Sequence, residues 1–501
     1  HISRIPVTCI SAGPLYVHAE APDSDYGHAC TTSSFLSEHG AQVEELHIML
    51  HANASEFSDA LWGADEIPLP PSLSFESPTS LRRLAIHGVG RHEGFWQDRT
   101  LFGGARLDLS SLAMWGVPFL PLNPMGPSLT RLLLVNHTLR YDGGHEGAIP
   151  IRNLLRFLSS TPSLEQAYLE GIAVCGDDPG TLPMVPMPHA RKLLITSGRG
   201  AAQLVSHLKL PETCLLRLEG DVRFPEQNED LSSAIARLGW NSRKAHVLWE
   251  GGWNGSAGFV SLQLINGSAG GLRVDLSSRT TGTDAEVAQA IRAFLSVSPF
   301  VTTEELWLSG TKTADLLSET GGVISPLSAL TTLHILNLKS LDRQNAGILW
   351  PKWPRIGSLE IKDTLPNLTS LHYCLPSKER IFDLVSLLRA RASANHPVTR
   401  LFLSCKPYSP SDGSLNANHG DPEVIRIIAQ ASVSEVEVGE DLYNRFAWWS
   451  VVPSECTAKE EVHGLWPIWA EGVTKWAGAA HPGTLSIHSD VAFGTSTSTS
   501  S

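Results

Sequence analysis

Reactive side chains are plentiful here, with 20 histidines and 51 acids in 501 residues. Chance pairings are therefore cheap, and only spacings that a reaction demands are informative. The chain holds no H-E-x-x-H pair to grip zinc, no glycine loop ending in Lys-Ser or Lys-Thr to cradle phosphate, and no EF-hand loop. Gly88, Gly90 and Gly94 stand at the wrong interval for a dinucleotide turn. Asn254-Gly255-Ser256-Ala257-Gly258 imitates a nucleophile elbow around Ser256, but Asn254 stands where that turn needs glycine. Arg91-His92-Glu93, beside Phe95-Trp96, is the nearest thing to a local polar site and reads as a solvated loop anchored by its aromatics. The seven cysteines are scattered without a C-x-x-C pair and read as reduced core thiols. No catalytic residue, metal ligand or cofactor is expected.

The remaining chemistry is that of recognition, carried by a repeat. The unit is L-x-x-L-x-L, whose last two apolar residues alternate with polar ones as a half-buried strand demands. Copies include Val43/Leu46/Ile48, Leu81/Leu84/Ile86, Leu109/Leu112/Met114, Leu129/Leu132/Leu134, Leu164/Ala167/Leu169 and Ala190/Leu193/Ile195. Leu330/Leu333/Ile335, Ile356/Leu359/Ile361, Val398/Leu401/Leu403 and Val433/Val436/Val438 follow, with weaker copies around Leu216 and Leu306. The spacing is irregular, from 20 residues (Leu112 to Leu132) to 42 (Leu359 to Leu401).

Helical periodicity precedes several of these strands, at Ile151/Leu154/Leu155/Leu158, Val287/Ala290/Ile291/Phe294 and Ile381/Leu384/Val385/Leu388. Pro150, Thr283 with Glu286, and Asp421-Pro422 mark expected helix starts. Phe157-Leu158-Ser159-Ser160-Thr161-Pro162 is echoed 137 residues later by Phe294-Leu295-Ser296-Val297-Ser298-Pro299, as duplication of a structural unit would leave. Asn254 to Gly258 recurs as Asn266 to Gly270 around the apolar run Phe259 to Ile265, which reads as a local hairpin or a degenerate repeat pair.

The expected fold is an α/β leucine-rich-repeat solenoid, a horseshoe with parallel strands on the concave face and irregular helices and loops outside. Residues 1–40 form an N-terminal cap with a first strand, 41–440 the solenoid, 441–490 a tryptophan-rich cap (Trp448, Trp449, Trp466, Trp469, Trp476), and 491–501 a disordered tail. Because side chains alternate across a strand, the concave surface is expected to present Trp115, Arg131, Tyr168, Lys192, Arg217, Trp307, His334, Lys362, Arg400 and Phe402 to a protein partner.

Composition agrees with a folded chain, 42% hydrophobic and 18% charged. A net charge of −13 without a basic block excludes nucleic acid as a partner, and no stretch is apolar enough to suggest a membrane span. Five N-x-S/T sequons begin at Asn53, Asn136, Asn254, Asn266 and Asn367, but His1 opens no signal segment, and the expected location is cytoplasm, nucleus or both.

Three segments carry a family likeness: Ser11-Ala12-Gly13-Pro14-Leu15-Tyr16-Val17-His18, the Pro127 to Leu134 strand, and Leu154 to Gly171 (LLRFLSSTPSLEQAYLEG). Their order resembles the leucine-rich-repeat region of the divergent F-box-like proteins of mushroom-forming fungi. The resemblance spans residues 10 to about 440 and implies a substrate-recognition subunit of a cullin ubiquitin ligase. Its F-box would dock the adaptor while the repeats hold the target. No F-box segment, with its Leu-Pro start and tryptophan-bearing end, is found in this chain, so adaptor docking is expected upstream of His1 or not at all. The alternatives are a scaffold or receptor-like repeat protein unrelated to ubiquitin and, less favoured, a secreted solenoid acting on polysaccharide.

Overall fold

A computed structural model describes residues 15–21, 43–51, 80–89, 97–99, 101–102, 106–117, 119–135, 149–170, 174–175, 182–196, 200–221, 225–250, 259–266, 270–277, 284–310, 323–335, 365–374, 381–404, 426, 428 and 433–439. The chain divides into two compact units, His1–Val452 and Pro453–Ser501, and every described residue belongs to the first. The expected boundary at residue 440, the tryptophan-rich cap, the tail, Lys362 and the Ile356/Leu359/Ile361 copy lie outside the described residues.

The fold is mixed α/β. Its strands are β1 (Leu15–Ala21), β2 (Val43–His51), β3 (Arg83–Val89), β4 (Gln97–Arg99), β5 (Ser111–Trp115), β6 (Phe119–Pro121), β7 (Arg131–Val135), β8 (Ile149–Pro150), β9 (Gln166–Glu170), β10 (Val174–Cys175) and β11 (Val185–Pro186). They continue with β12 (Lys192–Thr196), β13 (Leu208–Lys209), β14 (Leu215–Asp221), β15 (Lys244–Glu250), β16 (Phe259–Asn266), β17 (Gly270–Ser277), β18 (Glu305–Ser309), β19 (Thr332–Ile335), β20 (Ser370–Cys374), β21 (Arg400–Ser404) and β22 (Glu435–Gly439). Among the described residues the helices are α1 (Ile151–Ser159), α2 (Ala201–Ser206), α3 (Pro225–Arg237), α4 (Asp284–Leu295) and α5 (Ile381–Ser393).

Sixteen strands form one sheet, ordered β1-β2-β3-β5-β7-β9-β12-β14-β17-β16-β15-β18-β19-β20-β21-β22. Pairing is parallel except at β16, which runs antiparallel to both neighbours. The last two apolar positions of each repeat lie in register. Leu46, Leu84, Leu112, Leu132, Ala167, Leu193, Leu216 and Leu272 form one row, and Ile86, Met114, Leu134, Leu169, Ile195, Leu218 and Val274 the next. A period of two puts both rows on one face, and they join the buried sides of the helices in a continuous apolar core. Burial stabilises each large apolar side chain by about 1.5–3 kcal/mol. Short parallel pairs β4–β6, β8–β10 and β11–β13 link successive units a second time. Asn123 extends the first of these: its buried amide accepts from Leu101 N and donates to Leu101 O, both at 2.7 Å.

One backbone device recurs at the entry to the strands. The N–H of the residue before a strand and that of its first residue both donate to a single carbonyl one strand back. Thus Thr130 and Arg131 donate to Ser110 O at 3.0 and 3.2 Å, Thr369 and Ser370 to Thr331 O at 3.0 and 2.9 Å, and Thr399 and Arg400 to Thr369 O at 2.9 and 3.0 Å. Side-chain hydroxyls add a rung to the same carbonyls, from Thr130 (3.2 Å), Thr331 (3.0 Å, to Glu304 O) and Thr399 (3.2 Å).

The helices Ile151–Ser159, Asp284–Leu295 and Ile381–Ser393 fall where the periodicity puts them. Pro150 is the N-cap of α1, one residue outside the helix, and of the fourth expected helix Arg426 and Ile428 are described, both helical. The echoed hexapeptides end α1 and α4 alike. Phe157, Leu158, Phe294 and Leu295 are buried, and the hydroxyls of Ser159, Ser160, Thr161 and Ser296 bond to carbonyls of the final turn. Arg391 on α5 is wholly buried and donates through Nη2 to Leu365 O (2.8 Å) and Leu368 O (3.1 Å), bracing the turn that precedes β20.

The all-parallel expectation fails at one place. Phe259 to Asn266, read as part of a local hairpin or a degenerate repeat pair, pairs antiparallel with β17 and also with β15, making the middle strand of a β15-β16-β17 meander set into the large sheet. After β14 the chain passes through α3 and lays down β15 three places along. It then doubles back through β16 and β17, and crosses through α4 to β18 beyond β15.

Candidate partner-binding face

The face opposite the leucines carries three rows. The first contains Glu45, Arg83, Ser111, Arg131, Gln166 and Lys192, and resumes on β15 with Lys244, followed by Glu305, Thr332, Ser370, Arg400 and Glu435. Opposite charges meet along it, in Arg83–Glu45 (2.7 Å), Lys244–Glu305 (3.0 Å) and Arg400–Glu435 (3.0 Å). The middle row begins Ala85, Ala113, Leu133, Tyr168, Leu194 and continues Arg217, Arg273, Gln263, His246, Trp307, His334, His372, Phe402.

Alternation therefore places Arg131, Tyr168, Lys192, Arg217, Trp307, His334, Arg400 and Phe402 on the expected face. Trp115 closes β5 in the third row, with its side chain outside the described set. Exposure is where the expectation fails. Tyr168 (6%), Arg217 (7%), Trp307 (3%), His334 (4%) and Phe402 (6%) are buried, while Arg131 and Arg400 are exposed and Lys192 is half-buried. The physical reason is mutual cover. In-register side chains on adjacent strands sit roughly 5 Å apart, close enough for flat groups to stack along the row. Trp307 and His334 stack at 3.6 Å between ring centres, His334 and His372 meet tilted by 44° at 4.0 Å, and His372 and Phe402 stack at 5.3 Å.

Glu305 closes this stack from the first row. Its carboxylate lies 3.2 Å from His334 Nε2 and accepts from Trp307 Nε1 at 3.0 Å. Burial alone would raise its pKa, but the contacts with His334, Lys244 and Trp307 outweigh burial and hold it at about 2. Burial lowers the pKa of His334, against the pull of Glu305.

The meander contributes a buried polar cluster. Asp275 accepts from Arg217 Nε at 2.8 Å with one oxygen and from Arg273 Nε at 2.7 Å with the other. Arg217 Nη2 also lies 3.5 Å from Glu219 Oε1, and Gln263 Nε2 donates to Ser261 Oγ at 3.1 Å. His246 Nε2 and Ser309 Oγ are 2.7 Å apart. Burial, with a smaller push from the Arg273 charge, draws the pKa of His246 down to about 4 against the opposing hydrogen bond with Gln263. Such an imidazole is a poor base and Ser309 is fully enclosed, so this pair ties β15 to β18.

Sequence reasoning missed Gln263, Arg273 and Asp275, whose strands were read as turns and a hairpin, and His246, which carries no repeat pattern. His372 had a usable signal, because Leu368-Thr369-Ser370-Leu371-His372-Tyr373 fits the repeat with tyrosine in the last place. Among the described residues no group of three His, Cys, Asp or Glu side chains is placed to hold a metal ion, and no helix is long and apolar enough to cross a membrane. No known family model matches the chain, and no curated protein or solved structure is significantly similar to it.

Proposed function

We propose that this chain is a leucine-rich-repeat solenoid of the horseshoe type that binds another protein on the sheet face opposite its leucines, and that the bound protein is a target for ubiquitination. The observation that carries the reading is the division of labour in the sheet. Its leucine rows repeat almost unchanged from β2 to β21, while the opposite face changes residue by residue, from alanine and leucine to arginine, histidine and tryptophan. A surface varied on an invariant scaffold suits the recognition of one particular partner by complementarity. The link to ubiquitin rests on the resemblance of Leu154 to Gly171 and its companions to F-box-like proteins.

A photoreactive residue at Arg131 or Arg400, both exposed on this face, tests the binding reading against one at Arg389, exposed on α5. Crosslinks to one discrete protein from the first two sites, and none from the third, are expected; the reverse pattern overturns it. Co-purification of the complete gene product with a cullin adaptor tests the ubiquitin arm, and its absence leaves a plain binding scaffold.

A further inference from the structure

We infer that Arg273, held beside Arg217 by the carboxylate they share, forms a seat for an oxyanion at the centre of the sheet face, and that its occupant is a carboxylate side chain of the bound protein. This rests on the protein-binding reading and gives the partner a chemistry: an acidic segment.

The seat is built from two strands far apart in sequence. β14 and β17 are neighbours only because the meander reverses the strand order, and their register sets Arg217 directly beside Arg273. Asp275 spends one oxygen on each Nε and so fixes the orientation of both guanidinium planes. Among the described residues, Nε to Asp275 is the only hydrogen bond that the Arg273 guanidinium donates. Its terminal nitrogens are not among the enclosed, unpartnered atoms, and a tenth of the side chain stays at the surface. Its terminal N–H donors are therefore presented, already oriented, to whatever approaches this face.

Among the described residues, the acids facing the seat are Asp275 from β17 and Glu219 from β14. Asp275 is committed to both arginines, while Glu219, partly exposed, pairs with Arg217 Nη2 at 3.5 Å. His246 on β15 is neutral at physiological pH and adds no anion. Lys244 and Glu305, further along, pair with each other. The planar fork of N–H donors on the Arg273 guanidinium suits the two oxygens of one carboxylate or phosphate. The seat lies within the sheet face that the protein-binding reading assigns to a partner, two places from the half-buried Leu194, which favours an acid carried on a polypeptide.

The test uses the whole chain, titrated by calorimetry with a decaglutamate peptide and separately with inorganic phosphate. Decaglutamate is expected to bind and to lose at least about tenfold in affinity in Arg273→Gln. Arg292→Gln and Arg389→Gln, at exposed arginines on α4 and α5 away from this face, are expected to stay within about twofold. Equal losses in all three variants would mean diffuse attraction and would overturn the seat. Phosphate binding with no response to decaglutamate would assign the seat to a free ion and overturn the polypeptide occupant. Should Arg273→Gln fail to fold, arginine side-chain nitrogen NMR of the unaltered protein decides: shifts of the two buried Nε signals on adding decaglutamate are expected, and unmoved signals during binding overturn the seat. A chain that crosslinks a protein through Arg131 yet ignores decaglutamate keeps the binding reading and loses the seat.

Discussion

From β2 to β12 and from β14 to β18 the sheet has the same leucine core, yet its opposite face obeys different rules. In the first region the middle row is Ala85, Ala113, Leu133, Tyr168, Leu194, and strands such as Leu132-Leu133-Leu134-Val135 are apolar on both sides. In the second it is Arg217, Arg273, Gln263, His246 and Trp307, buried polar groups linked by hydrogen bonds to partners on the same face. The first region gains stability from area alone, which tolerates exchange among apolar residues of similar size. The second depends on partners, and losing one strands the others.

The sharpest test of that contrast is Asp275→Asn, which leaves two buried guanidinium groups without their carboxylate. It is expected to destabilise by about 3–5 kcal/mol in a denaturant titration. Leu133→Met, its counterpart in the first region, should cost under about 1.5 kcal/mol. The shared core predicts no such asymmetry: Leu132→Ala and Leu306→Ala should each cost about 2–5 kcal/mol, and a consistently milder loss in one region would break the claim that both cores are equivalent.

Acid should act through the second region. His246 remains neutral in the fold until about pH 4, whereas in the unfolded chain it takes a proton near pH ~6.5. The unfolded state therefore binds more protons in that window, and stability falls as the pH is lowered through it, by about 3 kcal/mol in all. His246→Gln should flatten the stability profile between these limits; an unchanged slope would show that other groups set it.

Gly310 ends β18 at φ 106°, with the Trp249 carbonyl where a Cβ would stand. Gly310→Ala should cost about 1–3 kcal/mol, read as a lowered melting temperature. The smallest effect is expected at Thr331→Val, which removes one hydroxyl rung from an exposed position and should cost about 0.5–1 kcal/mol.

Much of the scaffold was legible because its determinant is local. Two apolar residues spaced by one, with a third ahead of them, mark a strand wherever they occur, and Val43/Leu46/Ile48 and Val398/Leu401/Leu403 both do so. Two signals present in the sequence went unread. Leu129-Thr130, Leu330-Thr331, Leu368-Thr369 and Val398-Thr399 place a threonine before each strand, where its hydroxyl reaches the previous unit. Unbroken apolar runs at Leu84-Ala85-Ile86 and Leu112-Ala113-Met114 signal strands covered on both faces, as in other parallel sheets. The meeting of Arg217 and Asp275 was not legible, because it depends on strand order across 58 residues and on no local pattern.

The reversed strand order also bears on how the protein acquires its shape. An array of stacked units can assemble by simple addition, each strand zipping onto the last. That route stops at β14, whose next neighbour in the sheet is β17. Until β15 and β16 have been made and turned back, β14 offers an open edge, and the edge that β18 needs is supplied by β15 two places beyond β17. Closing the gap requires a long loop to find its place before any contact rewards it, the circumstance that slows folding. The two stretches flanking the meander should therefore form early and separately, joining in a late, slow step that a solenoid of uniform order would not have.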